Sequence, residues 1–115
     1  MCWVECTEKV FEIMERNSLH FCVGDFNLDF KKCNLRKKYC PLTKLKQIIK
    51  QPTRFMAGKK KDTKTIIDHC WVKPTIAQKF STEVCDNSIS DHRLVRIFYD
   101  TKIPPVTLDI PIPLD

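Results

Sequence analysis

Three short segments of the 115-residue chain put carboxylates, an amide and an imidazole at the mouths of polar loops: Gly24-Asp25-Phe26-Asn27, Ile67-Asp68-His69 and Ser90-Asp91-His92. These are the groups that phosphodiester hydrolysis uses. A carboxylate positions or deprotonates the attacking water, a metal neutralises charge on the phosphate, and hydrogen-bond donors face its non-bridging oxygens. Asp25, Asn27, Asp68, Asp91 and His92 supply most of those types. Each segment alone is a weak signal, because Asp and Asn at loop entrances commonly make local turns. In series, each beside a short apolar run, they mark strand ends of the kind on which α/β proteins assemble sites.

The elements that must position them follow from periodicity. Trp3, Cys6, Val10, Ile13 and Met14 recur at steps of three and four, with Glu5, Glu8, Glu12 and Glu15 between them, which predicts an amphipathic helix over 3–16 with a solvated acidic face. Asn17-Ser18 breaks it, and 19–23 reads as a strand ending at Gly24. Pro41 suits the first turn of a second helix carrying Leu42, Leu45, Ile48 and Ile49, which stops before Pro52. Lys59 to Asp62 reads as a turn. Ile66 and Ile67 then lead into a Cys70-Trp71-Val72 strand that Pro74 ends, and 80–84 and 94–99 have the β-branched and aromatic content of strands. The alternation predicts an α/β fold in one domain. Trp71 and Phe26 lie in apolar runs and read as core, and His20 and His69 as structural. Four of the seven prolines fall between Pro104 and Pro113, so 103–115 reads as a Pro-rich tail or linker after a domain at 1–102.

Charge is unevenly spread. Of 20 basic residues, 13 lie between Lys31 and Lys64, where Asp62 is the single acid, so that window carries +12 while the rest of the chain carries −6. Such asymmetry points to a polyanionic partner. In the window, Thr53 and Arg54 could form a packed turn or present a hydroxyl and a guanidinium to DNA, and Lys59, Lys60 and Lys61 could contact phosphate. Seven cysteines form an odd set with no Cys-x-x-Cys spacing, which disfavours a disulfide framework and a zinc finger and fits a reducing compartment. Cys22, Cys70 and Cys85 read as small buried hydrophobes. No apolar stretch is long enough to span a membrane, and acidic residues interrupt the N-terminal segment where a signal peptide would be apolar, so an intracellular place is expected.

The ordered series Gly-Asp-Phe-Asn, Ile-Asp-His and Ser-Asp-His resembles the C-terminal motifs of the endonuclease/exonuclease/phosphatase superfamily, which includes AP endonucleases and pancreatic-type DNases. Within it, Gln51-Pro52-Thr53-Arg54, Thr65-Ile66-Ile67-Asp68-His69 and the Ser-Asp-His ending are most similar to endonuclease domains of non-LTR (LINE-type) retrotransposons. The resemblance implies Mg²⁺-dependent (or Mn²⁺-dependent) cleavage of DNA. Asp25 would orient or deprotonate water, Asn27 would fix that water or the phosphate, His92 would contact a phosphate oxygen, Asp68 would hold His92, and Asp91 would assist the metal. It also implies the C-terminal half of a two-sheet α/β sandwich. The N-terminal half of that fold, with its Asn and metal-ligand Glu, is not placed in this chain, which reads as a truncated fragment. The implied partners are DNA and, on a parent polypeptide, the missing half or a reverse-transcriptase domain. Two alternatives stand beside this reading: a non-catalytic nucleic-acid-binding remnant, and a phosphatase or phospholipase relative in the same superfamily.

Overall fold

The computed structural model describes residues 3–31, 45–58, 60–86 and 89–104. Helix α1 spans Trp3–Arg16. It ends where the sequence breaks: Ser18 takes a left-handed backbone (φ 52°), Leu19 N–H returns to Met14 O at 2.9 Å, and Ser18 N–H to Glu15 O at 3.2 Å. This is a Schellman cap with serine in the place glycine usually takes. The acidic row Glu5, Glu8, Glu12 and Glu15 is exposed as expected. The buried stripe, however, is Thr7, Phe11 and Met14, with Val10 partly buried, and Ile13 is 52% exposed. The stripe is therefore rotated from the face that the periodicity suggested.

Strand β1 (Phe21–Asp25) pairs antiparallel with β5 (Asp68–Val72), and β2 (Lys46–Gln47) pairs with the other side of β5, giving the sheet order β1-β5-β2. Strand β5 is central and almost wholly buried, which is why it reads as a near-continuous apolar run. Its side chains alternate between two clusters. Trp71 packs with Phe11, Met14, Phe26 and Leu45 on the helix side. Cys70 and Val72 pack with Ile49 and Ile66, and against these lie Phe80, Val84, Val95 and Ile97 of the hairpin pair β6 (Phe80–Cys85) and β7 (Leu94–Tyr99). A 3₁₀ turn over Pro74–Lys79 links β5 to β6. Strands β3 (Arg54–Met56) and β4 (Thr63–Thr65) form a separate antiparallel pair. Among the described residues the chain is thus mixed α/β with small antiparallel sheets, and no helix is long and apolar enough to cross a membrane.

The second helix expected from Pro41 to just before Pro52 is corrected in its described part, since 41–44 lie outside the described residues. Leu45 joins the helix-side cluster and Ile49 the opposite one, so these residues do not share a helical face. Buried Gln47 explains the local choice. Its Oε1 accepts from Ile49 N–H at 2.6 Å and Cys70 N–H at 3.2 Å, and its Nε2 donates to Ile49 O at 2.7 Å. A side-chain amide thereby completes backbone pairing beside a two-residue strand, a tertiary gain that outweighs local helical propensity. Of the turn expected at Lys59 to Asp62, Lys59 lies outside the described residues, and the rest falls between the paired strands β3 and β4. There Gly58 is required by close approach, because a Cβ on it would meet Lys61 O at 2.0 Å. Cys70 is buried, whereas Cys22 and Cys85 are only partly so, with the Cys85 thiol against Glu83.

Candidate metal centre

The β1–β5 register places Asp25 opposite Asp68, so two carboxylates stand side by side at one end of the sheet. Because both occupy the face that also carries Val23 and Cys70, they project toward the side on which β6 and β7 pack. His92 reaches them from the segment before β7. An isolated bridge to Arg54 and a hydrogen bond from His92 N–H to Ser90 Oγ at 3.1 Å fix its backbone. Its Nδ1 lies 3.0 Å from Asp68 Oδ2 and its Nε2 3.9 Å from Asp25 Oδ2. An ionised carboxylate only accepts, so Nδ1 carries the proton in that bond and Nε2 is left facing Asp25. One ligand atom from each of Asp25, Asp68 and His92 falls within 4.8 Å of the others, a group that could hold a metal ion.

Local backbone chemistry presents the group. Asp25 Oδ1 accepts Asn27 N–H at 2.8 Å, an Asx turn, and Asn27 sits in the left-handed region (φ 52°), which asparagine tolerates better than most residues. Asn27 is exposed beside Asp25, while Phe26 between them is buried, stacked at 4.9 Å on the ring of His69. His69 is a core residue as expected. Its Nε2 bonds Ile66 O at 2.9 Å, its Nδ1 accepts from Trp71 Nε1 at 3.3 Å, and burial pushes its pKa below the ordinary value. His20 is exposed on the loop before β1.

Asp91 stands apart from the metal-capable group. Its Oδ2 accepts from Arg54 Nε at 2.9 Å, and that hydrogen bond holds the Asp91 carboxyl below the usual carboxylate range. Asp91 thus has the Arg54 guanidinium as its partner and is not one of the three residues of the metal-capable group. Arg54 serves the same ion pair, with its side chain still about one-third exposed (32%).

Thr53 differs more sharply from the sequence-based reading, being 0% exposed. Its Oγ1 accepts from Ile67 N–H at 3.2 Å and Asp68 N–H at 3.1 Å, its own N–H donates to Thr65 O, and its carbonyl accepts from Arg93 N–H. The hydroxyl is consumed inside the protein, tying the strand that carries Asp68 to the segment that carries His92, and is not offered to DNA. Thr53 is packed, as one of the two weighed alternatives had it, but in a segment that runs into β3 and not in a turn. Lys60 and Lys61 are exposed in the β3–β4 connection, and Lys59 lies outside the described residues. Gln47, Ser90 and Asp29 complete the support. Asp29 Oδ1 accepts Ile66 N–H at 3.2 Å, holding the loop after β1 against the approach to β5. Of these, Ser90 had a signal in its motif; Gln47 and Asp29 look in sequence like ordinary surface residues.

No protein-family model matches the chain, and no curated protein or solved structure matches it either.

Proposed function

We propose that this chain is built for metal-dependent hydrolysis of phosphodiester bonds in DNA, as the C-terminal half of a two-sheet endonuclease-type domain. The observation that carries the reading is the convergence of Asp25, Asp68 and His92, from three segments distant in sequence, within 4.8 Å. The two hard carboxylates suit Mg²⁺ or Mn²⁺. Held by the Asp25 and Asp68 carboxylates, such a cation would supply charge neutralisation at the phosphate. Asp25, exposed at the end of β1, orients water and takes its proton. Asn27, exposed two residues on, contacts the phosphate or that water. Asp68 fixes the imidazole through Nδ1, which leaves Nε2 to donate to a phosphate oxygen when His92 is protonated.

The test is nicking of supercoiled plasmid with Mg²⁺ or Mn²⁺, comparing the chain with Asp25→Ala and His92→Ala and with an EDTA control. Activity lost in both variants and in EDTA supports the proposal. A folded chain that does not nick leaves the second reading, a nucleic-acid-binding remnant. That reading is favoured by the basic window, whose described lysines Lys31, Lys46, Lys50, Lys60, Lys61 and Lys64 are exposed. It requires affinity for DNA that falls steeply with salt. Hydrolysis of a phosphoinositide but not of DNA would transfer the assignment to the phosphatase alternative.

A further inference from the structure

His92 lies where the chain leaves one strand pair and meets another. The β6–β7 ladder ends at Cys85 opposite Leu94, so His92 and Arg93 have no partner in it. Residues 91–93 rest instead on the start of β3 and the residue before it. Phe55 N–H donates to Asp91 O at 2.9 Å and Arg93 N–H to Thr53 O at 2.6 Å, flanking the isolated bridge between Arg54 and His92. Two backbone bonds around a single bridge are a short hold for a segment that follows exposed Ile89 and Ser90. Side chains add to it on either side of His92. The Arg93 guanidinium stacks 4.0 Å over the Phe55 ring, and Arg54 Nε donates to Asp91 Oδ2 at 2.9 Å.

The pairing pattern makes register decisive. Arg54 and His92 oppose each other as a non-hydrogen-bonded pair between the two backbone bonds, so their side chains share a face. A slip of one residue turns the His92 ring to the other face, and a slip of two carries Asp91 about 7 Å from Arg54. In the observed register both contacts are made: Arg54 holds Asp91, and His92 Nδ1 meets Asp68 Oδ2 at 3.0 Å. Thr53, the residue before Arg54, accepts the Ile67 and Asp68 N–H groups on its hydroxyl. Consecutive residues thus grip the strand that bears Asp68 and the segment that bears His92.

We infer that Arg54 is a positioning residue: through its ion pair with Asp91 it fixes the 91–93 segment in the register that brings the His92 imidazole to Asp68 and Asp25. The guanidinium acts through Asp91 and not by contact with a phosphate. What this does for cleavage rests on the hydrolytic reading above, whereas the positioning belongs to the free chain and is measured without metal or DNA.

The experiment is amide hydrogen exchange by NMR on the full chain in EDTA, for the native sequence, Arg54→Ala, Asp91→Ala and the double variant. Arg16→Ala, which removes the exposed Glu12–Arg16 pair of α1, is the control. A circular dichroism melt verifies that each variant folds. The amides of Phe55 and Arg93 report the hold on His92, and the Phe26 amide, which donates to Ile67 O, reports the rest of the fold. Loss of a part-exposed ion pair predicts exchange about 2- to 5-fold faster at Phe55 and Arg93 in Arg54→Ala. Asp91→Ala gives the same change, the double variant no more than either, and Phe26 none. Arg16→Ala leaves all three amides unchanged. In plasmid nicking both single variants lower kcat by the same factor and leave KM and the salt dependence of DNA binding intact, whereas a lost phosphate contact at Arg54 would reduce that salt dependence. Unchanged exchange in folded Arg54→Ala, additive effects in the double variant, equal acceleration at Phe26, or reduced salt dependence in Arg54→Ala alone would each overturn the inference. If Arg54→Ala does not fold, Asp91→Ala, at an exposed position, carries the same comparison. A chain that shows the exchange pattern and nicks no DNA supports the positioning and refutes the hydrolytic reading.

Discussion

Replacing Thr53 by valine keeps the shape of a fully buried side chain and removes one oxygen, on which two peptide N–H groups converge at 3.1 and 3.2 Å. A buried donor left without its acceptor costs about 1–3 kcal/mol. Both bonds here are on the long side and share one acceptor, so the expected loss is about 2–3 kcal/mol in total. Against an ordinary domain stability of about 5–15 kcal/mol that is a large fraction. Thr53→Ser keeps the oxygen and loses a methyl group, worth about 0.8 kcal/mol. Urea unfolding in EDTA measures both variants directly, and the order of loss must be valine above serine. A second readout follows from geometry: the Asp68 N–H is one of the two donors, so the valine variant should also bind Mn²⁺ more weakly, while serine restores it. If serine proves as costly as valine, or if valine leaves both stability and Mn²⁺ affinity intact, then packing rather than the hydroxyl holds this corner together and the argument fails.

Two further outcomes are expected from buried titratable groups. Burial lowers the His69 pKa, so the unfolded chain binds a proton before the native one does; stability is complete above about pH 6.5 and declines as pH falls below it. Chemical denaturation between pH 7 and 5 should show this decline, and His69→Gln should flatten it; an equal slope in the variant refutes the assignment. Burial likewise pushes the Cys22 thiol up to about 11 and the Cys70 thiol up to about 12, so both should resist iodoacetamide at pH 8 until the chain unfolds. Mass spectrometry of the native protein showing either one alkylated rapidly would contradict that.

The strands that bear the site were legible from their apolar, β-branched and aromatic content: those expected at 19–23, 70–72, 80–84 and 94–99 form over 21–25, 68–72, 80–85 and 94–99. So was the convergence, since Asp25, Asp68 and His92 do meet. What escaped was decided by contacts remote in sequence. Leu45, Ile48 and Ile49 have helical spacing, but Gln47 finds Cys70 as a partner 23 residues away, and local periodicity carries no record of that bond. The short strands β2, β3 and β4 were missed for the same reason, each being only two or three residues long. For Thr53 and Arg54 the sequence left a packed turn and a contact with DNA both open. Their burial and pairing depend on Asp91 returning to β3, where its carbonyl also accepts Phe55 N–H at 2.9 Å.

The sheet order β1-β5-β2 has a kinetic consequence. Asp25 and Asp68 become neighbours only when β1 closes onto β5, and His92 joins them only when the segment before β7 docks on Arg54. Neither closure is local, so each incurs loop entropy before any contact offsets it, and the three groups come together late in folding. A nascent or partly unfolded chain therefore offers a divalent cation no more than scattered carboxylates. An ion held by the three groups would discriminate in favour of the finished fold, and raising its concentration should slow unfolding more than it speeds folding.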